Sequence, residues 1–215
     1  MQKKIVVHMY LKNGKAVTGF DGKELLEDGD VMSIAQHYSN NGADELLIFD
    51  LSDDDADHEQ SLNLIRQISR VIDIPMSGGG HIKNLEDVKK LLYAGCQQVF
   101  LNYAKAANIE LTEEVSKRFG KEKIAICTDS FAQLQANKAR VNEYTSRVIL
   151  LCDEVDVRTT ARLVEVPVLP VSTRADRHGL LKLLMLDNIC GVCGDTFSDL
   201  NEDLMAAKLE AKKHG

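Results

Sequence analysis

The sequence predicts an α/β protein of one domain, residues 1–215, folded as a (β/α)8 TIM barrel. Short apolar runs alternate eight times with segments whose apolar residues recur at helical spacing. The runs are apolar at almost every position, which is typical of parallel strands buried on both faces. Eight strand–helix units in a chain of this length fit a closed barrel better than an open doubly wound sheet.

The units follow one another in a regular order. The predicted strands are 4–10, 45–50, 74–82, 98–102, 123–127, 147–151, 166–171 and 189–193. The predicted helices carry their apolar positions within 30–41, 62–72, 84–94, 109–119, 134–141, 154–164, 180–184 and 201–213. A turn at 12–15 and a polar loop separate the first strand from its helix. The units shorten toward the C-terminus, so the second half of the barrel has little loop material on its upper rim.

Composition excludes several classes of protein. The formal net charge is −7 and the chain has no block of Lys or Arg, which excludes nucleic acid as the main partner. No apolar run approaches the roughly 18 residues of a membrane span, and no signal peptide is recognisable. Five scattered cysteines are typical of reduced thiols in a cytoplasmic protein. Cys190 and Cys193, three apart on a strand, should face opposite sides, so we expect no metal and no cofactor.

The run Ile74-Pro75-Met76-Ser77-Gly78-Gly79-Gly80-His81-Ile82 is the most distinctive stretch of the chain. It combines a strand, a glycine turn and the start of a helix, and such a turn suits a phosphate because backbone N–H groups and the helix dipole favour an anion. The alternative is a tight turn without a ligand. Asn102 ends the neighbouring strand and offers an amide beside the turn, which favours phosphate binding.

Other polar residues also fall at predicted strand ends. Asp50 and Asp129 close the second and fifth strands, where carboxylates are suited to general acid–base roles. The alternative is that each acid caps the helix that follows. Among the histidines, His8 should be packed within the first strand, and His81 directly follows the glycines. His37, His58 and His214 fit the surfaces of helices.

Five short motifs are distinctive when taken together with the eight units: Gly42-Ala43-Asp44-Glu45-Leu46-Leu47-Ile48-Phe49-Asp50, Ile74-Pro75 followed by Gly79-Gly80, Tyr93-Ala94-Gly95-Cys96, Leu101-Asn102 and Phe119-Gly120. In these motifs the chain resembles the histidine-biosynthesis barrel family. The resemblance is strong over 1–129 and weak over 130–215. The family includes the cyclase subunit of imidazole glycerol phosphate synthase and a phosphoribosyl-formimino isomerase, whose substrates carry two phosphates, one on each half of the barrel.

The resemblance implies a set of site residues. The first phosphate site falls on Gly79, Gly80, His81, Asn102 and Tyr103, where His81 replaces a third glycine and Tyr103 a small hydroxyl residue. The catalytic aspartate of the fifth strand corresponds to Asp129. Tyr10 and Thr18 occupy the positions of the family's other aspartate and its lysine, and a phenol with an ordinary pKa near 10 is a poor base at neutral pH.

The second half departs from the family pattern. Cys152-Asp153-Glu154-Val155-Asp156 and Pro170-Val171-Ser172-Thr173-Arg174 lack the glycines expected for a second phosphate, and Asp195 would repel one. At the lower rim, Lys4 and Glu45 match charges of the family's ammonia gate. Gln98 and Arg147 do not, which weighs against a glutaminase partner.

The sequence therefore predicts a degenerate cyclase-like barrel that binds a phosphorylated ribose-type molecule at one site and has a structural or regulatory role. One alternative is an active cyclase (a lyase) or isomerase, with Asp129 acting beside Asp50 or Tyr10. Another is an architectural domain. The chain also looks like the N-terminal barrel of fused phosphoribosyl-AMP cyclohydrolase/phosphoribosyl-ATP pyrophosphatase proteins, so attached histidine-biosynthesis modules are expected partners, and a final helix ending at 212–215 would suit such a domain.

Overall fold

The protein is described by a computed structural model that covers residues 3–153 and 155–212. Its strands are β1 (Lys4–Lys12), β2 (Lys15–Thr18), β3 (Glu24–Leu25), β4 (Glu45–Asp50), β5 (Met76–Gly79), β6 (Gln98–Asn102), β7 (Ile124–Thr128), β8 (Arg147–Leu151), β9 (Val168–Ser172) and β10 (Gly191–Gly194). Its helices are α1 (Val31–Asn40), α2 (Asp55–Ile68), α3 (Leu85–Tyr93), α4 (Ala106–Phe119), α5 (Phe131–Ala136), α6 (Lys138–Tyr144), α7 (Val157–Leu163), α8 (Arg177–Leu183), α9 (Asp195–Ser198) and α10 (Leu204–Ala211).

Eight of the strands form a closed parallel barrel. They run in the order β1, β4, β5, β6, β7, β8, β9, β10, and β10 pairs again with β1 through the register Lys4↔Gly191. Helices alternate with the strands along the chain. The predicted (β/α)8 barrel is confirmed. Within the described residues, no helix has the length and apolar character needed to cross a membrane.

A short antiparallel hairpin replaces the predicted polar loop after the first strand. Asn13 and Gly14 both have positive φ, 50° and 69°, as a tight hairpin turn requires. The turn reverses the chain so that β2 pairs with the upper end of β1 through Tyr10↔Val17, and β3 pairs with β2. The Asn-Gly pair signalled the turn, but two short strands beyond it were missed because loop-like polar residues surround them.

Several predicted helices differ in extent from those in the structure. The stretch predicted at 134–141 is two helices, α5 and α6, divided at Asn137. The helix predicted at 154–164 begins at Val157, behind the cap Asp156, and Glu154 lies outside the described residues. The last helix, α10, starts only at Leu204. The predicted end of that helix at Lys213, and His214, also lie outside the described residues.

The barrel has two apolar layers. Between strands and helices lies the larger one, which includes the alternate strand residues Ile5, Val7 and Met9. Inside the barrel lies a smaller cluster that includes Phe49 and Phe100. Cys190 and Cys193 both belong to this inner cluster, so the prediction that they face opposite sides is wrong. The reason is that Cys190 precedes β10 and is not part of its regular alternation.

The amino ends of the barrel strands meet at a charge network, the floor network, formed by the buried residues Glu45, Ser77 and Arg147 and the partly exposed Lys4. Glu45 accepts hydrogen bonds from Arg147 Nη1 at 3.0 Å, from Ser77 Oγ at 2.7 Å and from Lys4 Nζ at 3.1 Å. Burial alone would raise the pKa of Glu45, but the charge and hydrogen bonds of Arg147, with Lys4 and Ser77, lower it to about 2. The buried carboxylate therefore stays ionised and ties β1, β4, β5 and β8 together.

This network predicts a loss of stability in acid. Because the pKa of Glu45 is lowered from 4.5 to about 2 by folding, its contribution is present above pH 4.5 and is lost as the pH falls toward 2. The contribution amounts to about 3 kcal/mol of unfolding free energy. Urea unfolding of the wild type and Glu45→Gln across this range should show a pH slope that the variant lacks. The exposed Glu113→Gln variant is the control, and equal slopes for wild type and Glu45→Gln would contradict the assignment.

Candidate active site

The glycine turn lies at the upper rim, as predicted. β5 ends at Gly79, Gly80 has a φ of 110°, His81 a φ of 53°, and α3 begins behind the cap Asn84. A methyl group on Gly80 would lie 2.0 Å from the Asp50 carbonyl oxygen, and one on Gly79 would lie 2.3 Å from the Phe100 ring. Gly79 and Gly80 are thus required by the close packing of β5 and its turn against the neighbouring strands, whether or not a ligand binds.

A cavity opens beside this turn. It has a volume of about 330 Å³, and its lining includes Lys12, Asp50, Gly79, Gly80, His81, Asn102 and Lys105. We call it the glycine-turn cavity. Strands β5 and β6 are neighbours through Gly79↔Phe100, so the expected proximity of Asn102 to the turn is confirmed. Four of the five residues predicted for the first phosphate site therefore line one cavity.

The donors around this cavity are favourable for an anion. Lys105 is the N-cap residue of α4, and no side chain caps that helix, so its first N–H groups keep their partial positive charge. Among the described residues, Lys105 has no ion-pair partner. The side-chain oxygen Oδ1 of Asn102 accepts from Ala104 N at 2.9 Å, so the NH2 group of the side chain is the part available to a ligand.

A buried residue that the sequence did not single out connects the two sides of the cavity. Asn108 lies in the first turns of α4 and is 2% exposed. With its amide oriented to satisfy both neighbours, it donates to Ile82 O at 3.1 Å and accepts from Asn102 N at 3.2 Å. Asn108 therefore fixes the glycine turn relative to the end of β6.

Asp50 is committed to a structural pair. Its carboxylate accepts from His58 Nδ1 at 2.5 Å, from Ser52 N at 3.0 Å and from the Ser52 hydroxyl. His58 is 3% exposed, so its predicted place on a helix surface is wrong. Asp54, not Asp50, caps α2, and the capping alternative for Asp50 is also wrong. A buried, fully bonded carboxylate of this kind holds the rim in shape.

His81 reaches sideways along the rim. Its Nε2 lies 2.7 Å from Asp55 Oδ1 and its Nδ1 lies 3.2 Å from Ser52 O, and its ring stacks on His58 at 4.8 Å. Both partners are hydrogen-bond acceptors, so a ring nitrogen that carries a proton donates to the one it faces. Hydrogen bonds from His81, then Lys83, lower the pKa of Asp55 to about 2. The His81 side chain is therefore engaged with Asp55 and Ser52, which leaves the His81 backbone as the part that a ligand in the cavity could contact.

Tyr103 does not belong to the cavity. Its ring is fully buried, its hydroxyl lies 2.9 Å from Thr112 Oγ1, and its backbone N–H donates to Cys127 O at 2.9 Å. Both the side chain and the N–H that the resemblance assigned to a phosphate are used inside the protein. The larger ring packs under α4, and neither its hydroxyl nor its N–H faces the glycine-turn cavity in this structure.

The three positions expected to carry acid–base chemistry do not share a cavity. Tyr10 and Thr18 line a second cavity, of about 370 Å³, between the hairpin and α9. Asp129 is exposed on the rim and lines neither cavity.

Ser130 caps α5, so the capping alternative is wrong for Asp129 as well. Burial first, and the charge of Asp195 second, raise the pKa of the Tyr10 phenol far above its usual value, so Tyr10 cannot act as a base at neutral pH.

On the opposite side of the rim, the hydrogen-bond donors of Ser172 and Thr173 are already bonded to the Asp153 carboxylate. The Asp153 carboxylate accepts from the Thr173 N–H at 3.1 Å and from Thr173 Oγ1 at 2.5 Å, as well as from the Ser172 hydroxyl. Asp195, at the start of α9, lies 2.9 Å from His8 Nε2. Within the described residues, no group of three His, Cys, Asp or Glu side chains is arranged to hold a metal ion.

Comparison with known proteins agrees with this architecture. The sequence model of the family described as "Histidine biosynthesis protein" matches residues 4–187. The chain belongs to this family.

Similar proteins from three bacteria are named imidazole glycerol phosphate synthase subunit HisF. The protein of Flavobacterium psychrophilum is 33% identical over 130 residues, which are 60% of this chain and 52% of that protein. The Haemophilus influenzae protein is 32% identical over 162 residues, 74% of this chain and 60% of the relative. The Helicobacter hepaticus protein is 34% identical over 132 residues, which are 60% of this chain and 51% of that protein. The chain thus spans about half the length of the curated relatives it matches.

Proposed function

We propose that this histidine-biosynthesis barrel binds a phosphorylated ribose-type molecule in the glycine-turn cavity and has lost the acid–base pair of a cyclase. The phosphate would lie between the glycine turn, Asn102 and Lys105. The observation that carries the proposal is Lys105, which has no ion-pair partner among residues 3–153 and 155–212 and lies at the uncapped start of α4, lining the same cavity as Gly80 and Asn102. A helix of fourteen residues supplies the dipole at that point.

Charge supports the same assignment. The acidic side chains nearest the cavity are already paired: Asp50 with His58, Asp53 with Lys12, and Asp55 with His81 and Lys83. Pairing reduces the repulsion that those carboxylates exert on an incoming phosphate. Among the lining residues that the structure describes, Lys105 is the cation whose charge is available to the ligand.

The loss of catalysis is supported by the rest of the rim. The position of one family acid holds a buried phenol, Tyr10, and the position of the lysine holds Thr18. Asp129 lies apart from both. A barrel that binds the ligand without converting it would serve as a regulatory or structural unit, in keeping with attachment to other histidine-biosynthesis modules. The lower rim, where Arg147 is bonded to Glu45, gives no support to a glutaminase partner.

A second function, an active cyclase or isomerase, is favoured by one observation. The Asp129 carboxylate is exposed at the mouth of the barrel and makes no hydrogen bond or ion pair with the other described residues. It would be free to exchange a proton with a substrate.

Calorimetric titration with ribose 5-phosphate tests the binding proposal. The wild type should bind one molecule per chain, and Lys105→Ala and Asn102→Ala should each weaken binding by about five- to tenfold, as expected for loss of one charge-assisted or neutral hydrogen bond. Lys117→Ala, near the other end of α4, is the matched control and should bind as the wild type does. Absence of binding at millimolar ligand would favour a purely architectural domain, and equal binding by all four proteins would contradict the assignment of the ligand to the glycine-turn cavity.

Turnover of the bisphosphorylated formimino substrate with free ammonia separates the two functions. We expect no turnover above the buffer background for the wild type, because Tyr10 cannot supply the second proton-transfer group. The measurement is formation of imidazole product over hours at high enzyme concentration. A measurable rate that Asp129→Asn abolishes, with ribose 5-phosphate binding retained, would establish catalysis and overturn the degenerate assignment.

A further inference from the structure

The turn after β9 is built like an anion receptor. Ser172 ends β9 and Thr173 follows it, and the Ser172 hydroxyl oxygen accepts from Arg174 N at 3.2 Å and from Ala175 N at 2.9 Å. The turn therefore presents two hydroxyl groups and the Thr173 N–H to the same point. We call residues 172–175 the β9 turn. In (β/α)8 barrels, the loops after the seventh and eighth strands frequently bind phosphate, and β9 is the seventh barrel strand here.

In this chain the receptor already holds a carboxylate. Asp153 follows β8, next to β9, since Leu151 pairs with Val171. Its Oδ1 accepts from the Ser172 hydroxyl and from Thr173 N at 3.1 Å, and its Oδ2 accepts from Thr173 N at 3.1 Å and Thr173 Oγ1 at 2.5 Å. Each carboxylate oxygen therefore has two donors from the β9 turn.

The resident carboxylate is charged. Burial alone would raise the pKa of Asp153, but hydrogen bonds from Ser172 and Thr173 lower it below its usual value. A phosphate approaching the β9 turn would meet this charge and would find the same donors already used. Asp195, at the start of the short helix after β10, adds a second negative charge to this side of the rim.

We propose that Asp153 is a built-in anion of the β9 turn, and that the mouth of the barrel consequently selects ligands with one phosphate over ligands with two. The inference rests on the proposed function, because the single phosphate is the one bound in the glycine-turn cavity. Asp153 is then a specificity-determining residue. Asp153 excludes a second phosphate because its carboxylate occupies the hydroxyl and N–H donors of the β9 turn.

The experiment is a titration of the ¹⁵N-labelled protein with inorganic phosphate, followed by amide chemical shifts and by phosphate stoichiometry. In the wild type, the amides of Gly80 and Asn102 should shift, those of Thr173 and Ala175 should stay in place, and one phosphate should bind per chain. In Asp153→Ala, the amides of Thr173 and Ala175 should shift as well, and the stoichiometry should rise to two.

Asp156→Ala is the matched control. Asp156 also accepts from a threonine, through Thr159 N at 2.9 Å and the Thr159 hydroxyl, but it caps α7 and does not touch the β9 turn. This variant should keep one phosphate per chain and unshifted Thr173 and Ala175 amides. If Asp153→Ala does not fold, Asp153→Asn keeps the size of the side chain and removes its charge. That variant should also admit a second phosphate.

The possible results separate this inference from the proposed function. Wild-type shifts at Thr173, or an unchanged stoichiometry of one in both folded Asp153 variants, would overturn the role of Asp153. Failure of Gly80 and Asn102 to shift in any of the proteins would instead overturn the glycine-turn site. A Thr173 shift confined to the Asp153 variants, with the first site occupied in all proteins, would support both.

Discussion

The arrangement of this molecule depends on β1 pairing on both of its edges. One edge pairs with β4 from Val6 to Leu11, and the other pairs with β10 only from Lys4 to Val6, above which the hairpin takes over. The pairing with β10 closes the barrel, so every parallel strand ends at one rim. Where β1 parts from β10, the His8 N–H donates to Ser198 Oγ at 2.9 Å, and α9 fills the gap. Closure thus fixes which polar groups can meet at the mouth.

The two sides of that mouth differ in how their donors are used. On the glycine-turn side, the acids are paired with His58, His81, Lys12 and Lys83. Lys105, beside an uncapped helix, has no ion pair with any other residue that the structure describes. On the β9 side, the hydroxyl and N–H donors are satisfied by Asp153. The contrast is electrostatic and local, and it is the basis of our proposal that this barrel binds one anion at its mouth. Asn108, buried beneath the first side, keeps the turn and Asn102 in register.

Much of this could be predicted from the sequence. The eight apolar runs, the glycine turn and the adjacency of Asn102 follow from strand periodicity and from the rule that consecutive parallel strands are neighbours. The role of Tyr103 could not be predicted, because only the packing under α4 shows that its hydroxyl meets Thr112. The pair of Asp50 with His58 was missed for a similar reason: the two lie eight residues apart across a strand, a loop and a helix. Lys105 lies between Asn102 and the helix predicted from 109, and a lysine in the loop that follows a strand end was the signal that could have found it.

The central claim is that one phosphate is held on the glycine-turn side and none on the β9 side. The most direct measurement is a crystal structure of the wild type soaked with ribose 5-phosphate, with the phosphorus located by its anomalous signal. We expect a single phosphorus position per chain. The oxygens of that phosphate should lie within hydrogen-bond distance of the Gly80 backbone, the Asn102 amide and the Lys105 ammonium group. A phosphorus position at Thr173, or an empty glycine-turn cavity in crystals whose solution contains saturating ligand, would contradict the account.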